Sequence, residues 1–566
     1  MMRDKRKELS MGVNRREFLR GAAGLFVFSA LANENPASEL APIRLTNGAA
    51  QSGLDFVLRN GATGHKYQIE AMVGGLAVID YDGDGWPDLY CVNGAALPSL
   101  VKTGPEYWNR LYRNNRDGTF TDVTEKAGLQ GQGYGIGAAV ADCNNDGHED
   151  LLVVGVHCIT LYRNNGDGTF TDVTRKAGLA NASAERSLWP VAAAWIDYDN
   201  DGHLDLFVSN YCDWAAGSDP FCAGLGSEPR SYCHPDLYHP EAMQLFHNNG
   251  DGTFTQANGH IFPAVQGKGM GIAVADFACD GWLGIFVAND NAPNLLFRNR
   301  AGRFEETGLD AGVAYNAAGR AISGMGADFG DIDGDGLPDI VVTGLVNEGW
   351  EVFLNQGGGS FVDGSASTGA LILSRPHSGW GCGLADFDND GWLDWFTAGG
   401  GLDHGQEEGN RLFRNTGGRF ADISEAAGLL AESARLHRGV VFADFDRDGR
   451  MDAAVTALNA PIELWWNRSQ PRHWLQLRLE GRRTNRSAIG AEVICKAGGR
   501  TQNRRVANSM GYGSSRDLTI HFGLGDAAKA DVEIRWPSGI RQPLGEVTAD
   551  QKLHVLELTG PAATID

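Results

Sequence analysis

The chain has 566 residues, of which 42% are apolar, and a formal net charge of -23 at pH 7. This apolar fraction can bury a substantial core and excludes a disordered chain, while the acidity disfavours nucleic acid as a partner. The 77 glycines follow no collagen-like period and indicate many tight turns.

The N-terminus, residues 1–32, predicts an export signal. A basic stretch containing Arg15-Arg16 is followed by an apolar run over residues 21–31 and by an Ala-Leu-Ala cleavage sequence at residues 30–32. The paired arginines resemble the twin-arginine export signal of bacteria. Because the apolar run is too short to span a bilayer, we predict no transmembrane segment, and a membrane anchor is the less favoured alternative. We expect an exported protein that is periplasmic, extracellular or displayed on the cell surface.

Acidic stretches of the form D-x-D-x-D-G-x-x-D, or close relatives, recur seven times between short apolar runs. We number them loops 1 to 7; they begin at Asp80, Asp142, Asp197, Asp276, Asp331, Asp386 and Asp444. The commonest interval between successive loops is 55 residues, which accommodates four short strands and their turns. Each interval is therefore predicted to form one blade of a β-propeller.

A second repeated element supports this architecture. The segment 111–124 recurs at 161–174 and, more loosely, at 245–255, 296–306, 353–363 and 412–422, each time as two strands around an Asn/Gly/Asp turn. The seventh unit lacks this ending, and Ile43 to Leu54 resembles the missing piece. We predict an all-β fold in which a seven-bladed propeller, residues 43–470, is closed by its N-terminal strand, which removes exposed sheet edges.

A Gly-, Ser- and Pro-rich insertion, residues 211–240, interrupts the third unit. It contains Cys212, Cys222 and Cys233, and we predict one disulfide within this trio without assigning the pair. A metal site using His234 or His239 is the less favoured alternative, because no C-x-x-C spacing is present. The other six cysteines are expected to be small buried residues.

Four carboxylates within nine residues repel one another unless a cation lies among them, and hard oxygen donors favour calcium. Positions 1, 3, 5 and 9 are predicted to supply side-chain oxygens and position 7 its backbone carbonyl. The candidate metal ligands are Asp80, Asp82, Asp84, Trp86 and Asp88; Asp142, Asn144, Asp146, His148 and Asp150; Asp197, Asp199, Asp201, His203 and Asp205; Asp331, Asp333, Asp335, Leu337 and Asp339; Asp386, Asp388, Asp390, Trp392 and Asp394; and Asp444, Asp446, Asp448, Arg450 and Asp452.

These six loops predict about six Ca²⁺ sites, with affinities of roughly 10⁻⁴ to 10⁻³ M for an extracellular module. Loop 4 differs because Ala278 and Gly284 stand at two ligand positions, leaving Asp276 and Asp280. We expect this loop to hold no ion or to hold one weakly. A role for calcium in stiffening each blade is favoured over direct contact with a partner, and ordinary acidic turns are the remaining alternative.

The composition changes near Pro471. Between residues 471 and 560 there are fourteen Lys/Arg and nine Asp/Glu, and alternating runs such as residues 474–479 predict strands. We predict a small, separate C-terminal β domain that is sandwich-like.

The acidic repeats resemble the FG-GAP or VCBS repeats of integrin-like propellers. The runs at 485–493, 511–515, 521–525 and 536–539 resemble the ASPIC/UnbV domain, and together the two identify a bacterial exported member of the cartilage acidic protein-like family. The resemblance implies a calcium-dependent propeller with a recognition or adhesion role and supplies no catalytic residues. The departures are loop 4 and Ala488, where the family's N-R-x-x-I-G-A run is expected to hold a polar or acidic residue.

The favoured function is therefore non-enzymatic recognition of a protein or polysaccharide through the loop face of the propeller and the insertion. Tryptophans at position 7, together with Trp214 and Tyr211, are candidates for stacking on sugar rings, although packing between blades is the favoured role. The basic C-terminal domain is expected either to dock on the acidic propeller or to present a solvated face; the candidate docking residues are Arg482, Arg483, Arg486, Arg504 and Arg505.

The alternative function is a carbohydrate lyase or hydrolase with its active site in the central channel, since propellers also host such enzymes. Candidates outside the acidic loops are His377, His404, Asp403 and Arg375, which form no known motif. Convergent titratable groups in the channel would favour this alternative, whereas a narrow or apolar plug would favour recognition.

Overall fold

A computed structural model describes residues 43–180, 188–224, 230–257, 259–432 and 434–559 of the chain. Within these ranges, strands build seven antiparallel units of four strands each, sheet 1 to sheet 7. The predicted export signal at residues 1–32 lies outside the described residues.

The strands of sheets 1 to 4 are Leu76–Ile79, Asp88–Cys91, Arg110–Asn114 and Phe120–Asp122; Tyr134–Ala141, Asp150–Val156, Cys158–Asn164 and Phe170–Asp172; Pro190–Ile196, Asp205–Asn210, Gln244–Asn248 and Phe254–Gln256; and Gly269–Ala275, Gly284–Asn289, Leu295–Asn299 and Phe304–Glu306. The strands of sheets 5 to 7 are Ala327–Gly330, Asp339–Val342, Glu351–Asn355 and Phe361–Asp363; Gly379–Ala385, Asp394–Gly399, Arg411–Asn415 and Phe420–Asp422; and His437–Ala443, Asp452–Ala457, Glu463–Asn467 and Leu45–Asn47.

Each acidic loop joins the first strand of its sheet to the second. The N-terminal strand Leu45–Asn47 pairs antiparallel with the third strand of sheet 7, so that Leu45 lies opposite Asn467. The first and the last repeat are thus joined by backbone pairing, as the sequence pattern at residues 43–54 predicts.

An asparagine at the end of each third strand links every sheet to the preceding one. Its side-chain Nδ2 donates to the carbonyl of the second residue of the preceding loop. These bonds, 2.7–3.0 Å long, run from Asn164 to Tyr81, Asn248 to Cys143, Asn299 to Tyr198, Asn355 to Phe277, Asn415 to Ile332, Asn467 to Phe387 and Asn114 to Phe445. The last bond joins sheet 1 to sheet 7, so the sheets follow one another in cyclic order and the fold is propeller-like.

The first strands of neighbouring sheets pack against one another and are rich in glycine and alanine. A Cβ on Gly137 would lie 2.5 Å from the carbonyl oxygen of Val191, and a Cβ on Gly381 would lie 2.5 Å from that of Arg438. Side chains at these positions would prevent the backbones from approaching so closely. Many of the glycines noted in the sequence therefore serve the contacts between sheets.

The chain after sheet 7 forms two further sheets, which we call the C-terminal domain. One has the strands His473–Glu480, Ile520–Gly525 and Gln551–Leu556, and the other has Glu492–Ala497, Arg500–Arg505, Lys529–Arg535 and Arg541–Thr548. Leu477 and Ile534 of this domain are buried in one apolar core with Leu206 of sheet 3. The domain therefore shares a core with the repeats and does not stand apart from them.

A finger, residues 508–516, leaves the C-terminal domain and pairs with the first strands of the repeats. Ser515 pairs parallel with Ala77 of sheet 1, which adds the short strands Ser509–Met510 and Ser514–Ser515 to that sheet. The carbonyl of Gly513 accepts a bond of 3.0 Å from the N–H of Ala138 in sheet 2. Gly511 exchanges N–H···O bonds of 2.9 and 3.2 Å with Ala327 of sheet 5.

Tyr512 lies at the tip of the finger and is fully buried. Its ring packs edge-to-face on Trp380 of sheet 6 at 5.2 Å, and its hydroxyl donates to the carbonyl of Met72. The backbone of Tyr512 also forms an isolated bridge with Gly271 of sheet 4. Because one finger contacts sheets 1, 2, 4, 5 and 6, it fills the space that their first strands enclose.

A disulfide joins Cys222 to Cys233 in the insertion, which confirms the prediction of one bond within the cysteine trio. Cys212 is free and buried. Of the six cysteines outside the trio, four are buried as expected, whereas Cys158 is half-buried and Cys279, at the tip of loop 4, is exposed. Strands Glu241–Ala242 and Gln266–Gly267 pair beside the insertion.

The remaining elements are short helical turns at Gln68–Ala71, Pro105–Tyr107, Thr124–Ala127, Pro235–Leu237, Gly308–Ala311, Ala370–Ser374 and Leu429–Ala431. None of the helices within the described ranges has the length and apolar character needed to cross a membrane.

Candidate metal centres

The seven acidic loops share one hydrogen-bonding pattern, in which the first carboxylate holds the turn. In loop 1, Asp80 Oδ2 accepts a 2.9 Å bond from the N–H of Gly85 at position 6. The equivalent bond is present in the other six loops, including loop 4, where Gly281 donates to Asp276 at 2.8 Å. The glycine at position 6 has a positive φ in every loop, which residues with a Cβ rarely adopt. The D-x-x-x-x-G spacing therefore encodes the turn itself.

The carboxylate at position 9 closes the loop onto the third strand. Asp88 accepts from the N–H of Tyr81 at 3.2 Å and from the N–H of Asn114 at 2.7 Å, using one oxygen for each. Position 9 repeats this pair of bonds in loops 2, 3, 5, 6 and 7. In loop 4, Gly284 has no side chain to make them. Position 9 thus organises the loop as well as adding charge to it.

The carboxylate at position 3 is the one that the loop fold leaves without a full set of partners. Oδ1 of Asp82, Asp199, Asp388 and Asp446 is buried and accepts no hydrogen bond from the described residues. Oδ1 of Asp80, at position 1 of loop 1, is likewise buried and accepts no hydrogen bond from the described residues. Buried carboxylate oxygens without a partner are costly, and a bound cation would satisfy them. The observation fits the hard-oxygen donor set that calcium prefers.

The predicted ligands come together in space. In four loops, one oxygen from each carboxylate at positions 1, 3 and 9 lies within 4.8 Å of the others. These groups are Asp80, Asp82 and Asp88; Asp197, Asp199 and Asp205; Asp331, Asp333 and Asp339; and Asp386, Asp388 and Asp394. The spacing suits oxygen ligands of one divalent ion.

Burial makes these clusters unfavourable as bare anions. It raises the pKa of Asp80 to about 7 and that of Asp88 to about 9, and neighbouring carboxylates add to both shifts. It likewise raises the pKa of Asp197 and Asp444 to about 7, and those of Asp386 and Asp394 well above the ordinary value. A divalent cation would offset the repulsion among the charged forms.

The remaining predicted ligand positions have the following surroundings. At position 5, Asp84 accepts the N–H of Trp86 at 2.8 Å, and this bond recurs in the other loops. In loop 2, Asn144 replaces the carboxylate at position 3, and its Nδ2 donates to Asp146 at 2.9 Å. Position 7 carries Trp86, His148, His203, Leu337, Trp392 and Arg450, and their side chains are partly buried rather than fully exposed.

Loop 4 keeps the turn and lacks the acidic cluster. Ala278, Trp282 and Gly284 line a cavity of about 10 Å³ together with Arg298 of the third strand. Arg298 lies 3.4 Å from Asp280. A cavity of this size has room for about one water and is lined by the wrong side chains for an ion.

Sequence reasoning missed the third-strand residue that reaches the acidic clusters. Arg113 lies 2.9 Å from Asp82, Arg414 lies 2.7 Å from Asp388, and in sheet 3 His247 lies 3.1 Å from Asp205. These residues directly precede the linking asparagine of their sheets, in the R-N or H-N pair of each hairpin. The R-N or H-N pair is visible in the sequence. Its repetition alone does not reveal that the arginine or histidine side chain reaches the acidic loop.

The C-terminal domain covers much of the loop face. In loop 2, the N–H of Asp142 donates to Ser487 Oγ at 2.9 Å, and in loop 7 Gln476 Nε2 donates to Asp444 at 2.9 Å. Asn503 donates to the carbonyl of Gly336 in loop 5 at 3.0 Å, and Arg500 to that of Asp390 in loop 6 at 3.1 Å.

Three of the predicted docking arginines approach the acidic loops. Arg505 lies 3.6 Å from Asp276 of loop 4, and Arg486 lies 4.0 Å from Asp142 of loop 2. The buried Arg504 lines a cavity with Asp386 of loop 6. The remaining two, Arg482 and Arg483, instead donate their backbone N–H groups to Glu557 within the domain.

Other parts of the fold engage the aromatic residues that were candidates for stacking on sugar rings. Trp86 and Trp392 are covered by the guanidinium groups of Arg447 and Arg500, 4.2 and 4.0 Å from the ring centres. Tyr211 and Trp214 are buried, at 0% and 2% exposure. Tyr211 and Trp214 are therefore not available for stacking on a sugar, and an arginine lies over the ring of each of the two half-buried tryptophans.

The candidate catalytic residues lie in one region, because His377 and His404 contact the adjacent residues Glu408 and Glu407. His377 pairs with Glu408 at 3.0 Å, and Asp403 pairs with Lys66 at 2.5 Å. His404 is exposed and lies 3.1 Å from Glu407, and Arg375 is also exposed.

The repeats and the C-terminal domain each match a known family model. The FG-GAP-like repeat matches residues 80–153, 142–208, 280–342, 331–397 and 399–455, and the ASPIC and UnbV model matches residues 481–562. The chain therefore belongs to the FG-GAP repeat proteins that carry a C-terminal ASPIC/UnbV domain.

Cartilage acidic protein 1 is similar over most of this chain. The Mus musculus protein is 27% identical over 509 residues, covering 86% of this chain and 74% of the relative, and the Homo sapiens protein is 26% identical, covering 86% and 72%. A solved Agrocybe aegerita lectin, titled for its recognition of non-reducing terminal N-acetylglucosamine, aligns with a TM-score of 0.37 and 19% identity over 69% of this chain and 86% of its own. That structural likeness is too low to support an inference about ligands.

Proposed function

We propose that this protein is an exported, calcium-binding, seven-bladed β-propeller that serves as a non-enzymatic recognition module for a protein or polysaccharide. The buried, unpartnered Oδ1 atoms at position 3 of four loops carry the calcium assignment. The cyclic chain of asparagine bonds and the pairing of Leu45–Asn47 with sheet 7 support closure into seven blades. The residue 1–32 signal supports export to the periplasm, the cell surface or the medium.

Calcium would act mainly by stabilising the fold, because each cluster lies where the first strand turns into the second. Hydrogen bonds to the carboxylates at positions 1 and 9 fix the loop, and the ion would neutralise the remaining negative charge of the cluster. Thermal melting with millimolar Ca²⁺ and with chelator tests this role. We expect a higher melting temperature with Ca²⁺, because a ligand bound only by the folded state stabilises it; equal melting temperatures would contradict the assignment.

The recognition surface is assigned to the face opposite the acidic loops. The C-terminal domain occupies the loop face, whereas the connections on the other side carry most of the exposed large apolar residues of the described chain. These are Val101, Phe221, Leu237, Leu309, Tyr315, Val346, Leu371, Ile372 and Leu430. Their concentration on the connections of one side is the reason for placing the interaction surface there.

A matched pair of variants tests this surface. Ile372 is 72% exposed on the proposed face, and Val362 is 48% exposed in the outer strand of sheet 5. Glycan and protein arrays with each Asp variant, with and without chelator, should show loss of a bound partner for Ile372→Asp and retention for Val362→Asp. Equal binding of the partner by both variants would contradict the placement of the recognition surface on this face.

The enzyme alternative is not favoured, because the finger fills the space where a channel site would lie. Tyr512 and Trp380 are buried there at 0% and 1% exposure. If the protein cleaves a polysaccharide that the arrays identify, this result would favour the enzyme alternative.

A further inference from the structure

The acidic loops differ greatly in how tightly the C-terminal domain covers them. Asp82 of loop 1 and Asp388 of loop 6 occupy the same position 3, each pairs with a third-strand arginine, and each has an unpartnered Oδ1. Their side chains are nevertheless 20% and 1% exposed. Because both residues occupy the same position of the repeat, the difference in their exposure comes from the parts of the chain that cover each loop.

Loop 6 is enclosed by hydrogen bonds from the C-terminal domain. His521 Nε2 pairs with Asn389 Oδ1 at 2.7 Å, and the N–H of Gly525 donates to the Asn389 carbonyl at 2.8 Å. Arg500 donates to the carbonyl of Asp390 at 3.1 Å and stacks on Trp392. These contacts hold the loop on two sides.

The fit over loop 6 leaves no room for a further side chain. A Cβ on Gly523 would lie 2.1 Å from Asp386 Oδ2 and 2.4 Å from Asn389 Cα. Loop 7 closes the remaining side, since Asn389 Nδ2 donates to the carbonyl of Gly449 at 2.9 Å. Any ion among these carboxylates would lie beneath packed protein, next to a small cavity of about 90 Å³ that Asp386, Arg504 and His521 line.

Loop 1 is open by comparison. Asp80, Gly85 and Trp86 line a cleft of about 490 Å³ between this loop, loop 2 and the C-terminal domain. Lys552 and His554 form part of the opposite wall. A cleft of this volume admits solvent and small chelators to the edge of the loop.

We infer that the C-terminal domain divides the calcium loops into two kinetic classes, with loop 6 a sealed structural site and loop 1 an exchangeable one. This inference rests on the calcium binding proposed above. The ion of loop 6 can leave only after the contacts of His521, Gly525 and Arg500 open, whereas an ion in loop 1 meets the cleft directly. The sealed ion would then tie the C-terminal domain to sheet 6, and the open site would respond to calcium in the medium.

Release of calcium from the full chain into a fluorescent chelator, followed by stopped flow, tests the division. We expect one equivalent to leave at least about tenfold more slowly than the fastest, because local opening must precede its release. Asp388→Ala should remove the slow equivalent, and the matched variant Asp82→Ala should remove a fast one, since alanine leaves no oxygen donor at position 3. Arg500→Ala with His521→Ala should speed the slow phase while leaving the total calcium count unchanged, since both variants keep every ligand.

The outcomes separate this inference from the calcium assignment. Release of all ions in one phase, or loss of a fast equivalent in Asp388→Ala, would overturn the two classes and leave calcium binding intact. An unchanged slow phase in the Arg500→Ala/His521→Ala variant would also overturn the seal. Absence of bound calcium before mixing would overturn both proposals.

Discussion

Replacing Tyr512 by alanine should destabilise the whole protein, because its side chain fills the space between the first strands of the sheets. The ring is fully buried against Trp380, and its hydroxyl donates to the carbonyl of Met72. A tyrosine buries about 150–250 Å², which at about 25 cal/mol per Å² corresponds to about 4–6 kcal/mol as an upper estimate. Measured losses for truncating large aromatic residues, about 3–5 kcal/mol, set the expected fall in the free energy of unfolding.

Urea unfolding of the full chain, followed by tryptophan fluorescence, measures this change. Tyr512→Phe is the matched control, since it keeps the ring and removes one hydrogen bond worth about 1 kcal/mol. Hydrogen exchange should also rise at Ser514–Ser515 in the alanine variant, because the finger loses its anchor. An alanine variant as stable as the wild type, with the finger still protected, would refute the view that the finger supports the repeats.

Three further outcomes follow from particular residues. Ala278→Asp with Gly284→Asp should raise the number of bound calcium ions by one, measured by native mass spectrometry, because it restores the missing carboxylates of loop 4; an unchanged count would contradict the loop assignment. Burial raises the pKa of Glu351 to about 8, so the stability of the fold is lost as pH rises from about 4.5 to about 8. The melting temperature of Glu351→Gln should therefore exceed that of the wild type at pH 9 and be similar to it at pH 5. Cys222→Ala with Cys233→Ala removes the closure of a short loop, worth about 2–3 kcal/mol, and should speed proteolysis within the insertion while the main unfolding transition stays in place.

The fold was largely predictable because its signal is repeated. Each loop places a turn glycine five residues after its first aspartate, and Gly85 and Gly281 adopt the positive φ that this spacing requires. The pairing of Leu45–Asn47 with sheet 7 was predictable because residues 43–54 match the ending that the seventh repeat lacks. Repetition compensates for the weakness of any single short motif.

The position of the C-terminal domain could not be predicted in the same way. The run Gly511-Tyr512-Gly513 was visible as a family motif, but its partners Ala138 and Ala327 lie hundreds of residues earlier, and nothing local encodes that pairing. Net charge favoured docking without showing which loops would be covered. The exposure of Asp82 and burial of Asp388 likewise depend on tertiary packing, since their local sequences are nearly the same.

The linking asparagines are residues whose type can be explained locally although their main contact is with another sheet. Asn114 and its equivalents end an apolar-aromatic strand before a turn, where asparagine is common for local reasons. Their side chains instead bridge neighbouring sheets, as in the bond from Asn114 to Phe445. The local preference explains the residue type, and the sequence of one repeat does not reveal the contact with the neighbouring sheet.

Counting calcium in the purified mature protein tests the central claim most directly. Equilibrium dialysis of the protein against several millimolar Ca²⁺, with elemental analysis of both compartments, should find about six bound ions per chain, one for each loop with oxygen donors at positions 1, 3, 5 and 9. A protein that is folded and free of calcium under these conditions would contradict the assignment of the acidic loops.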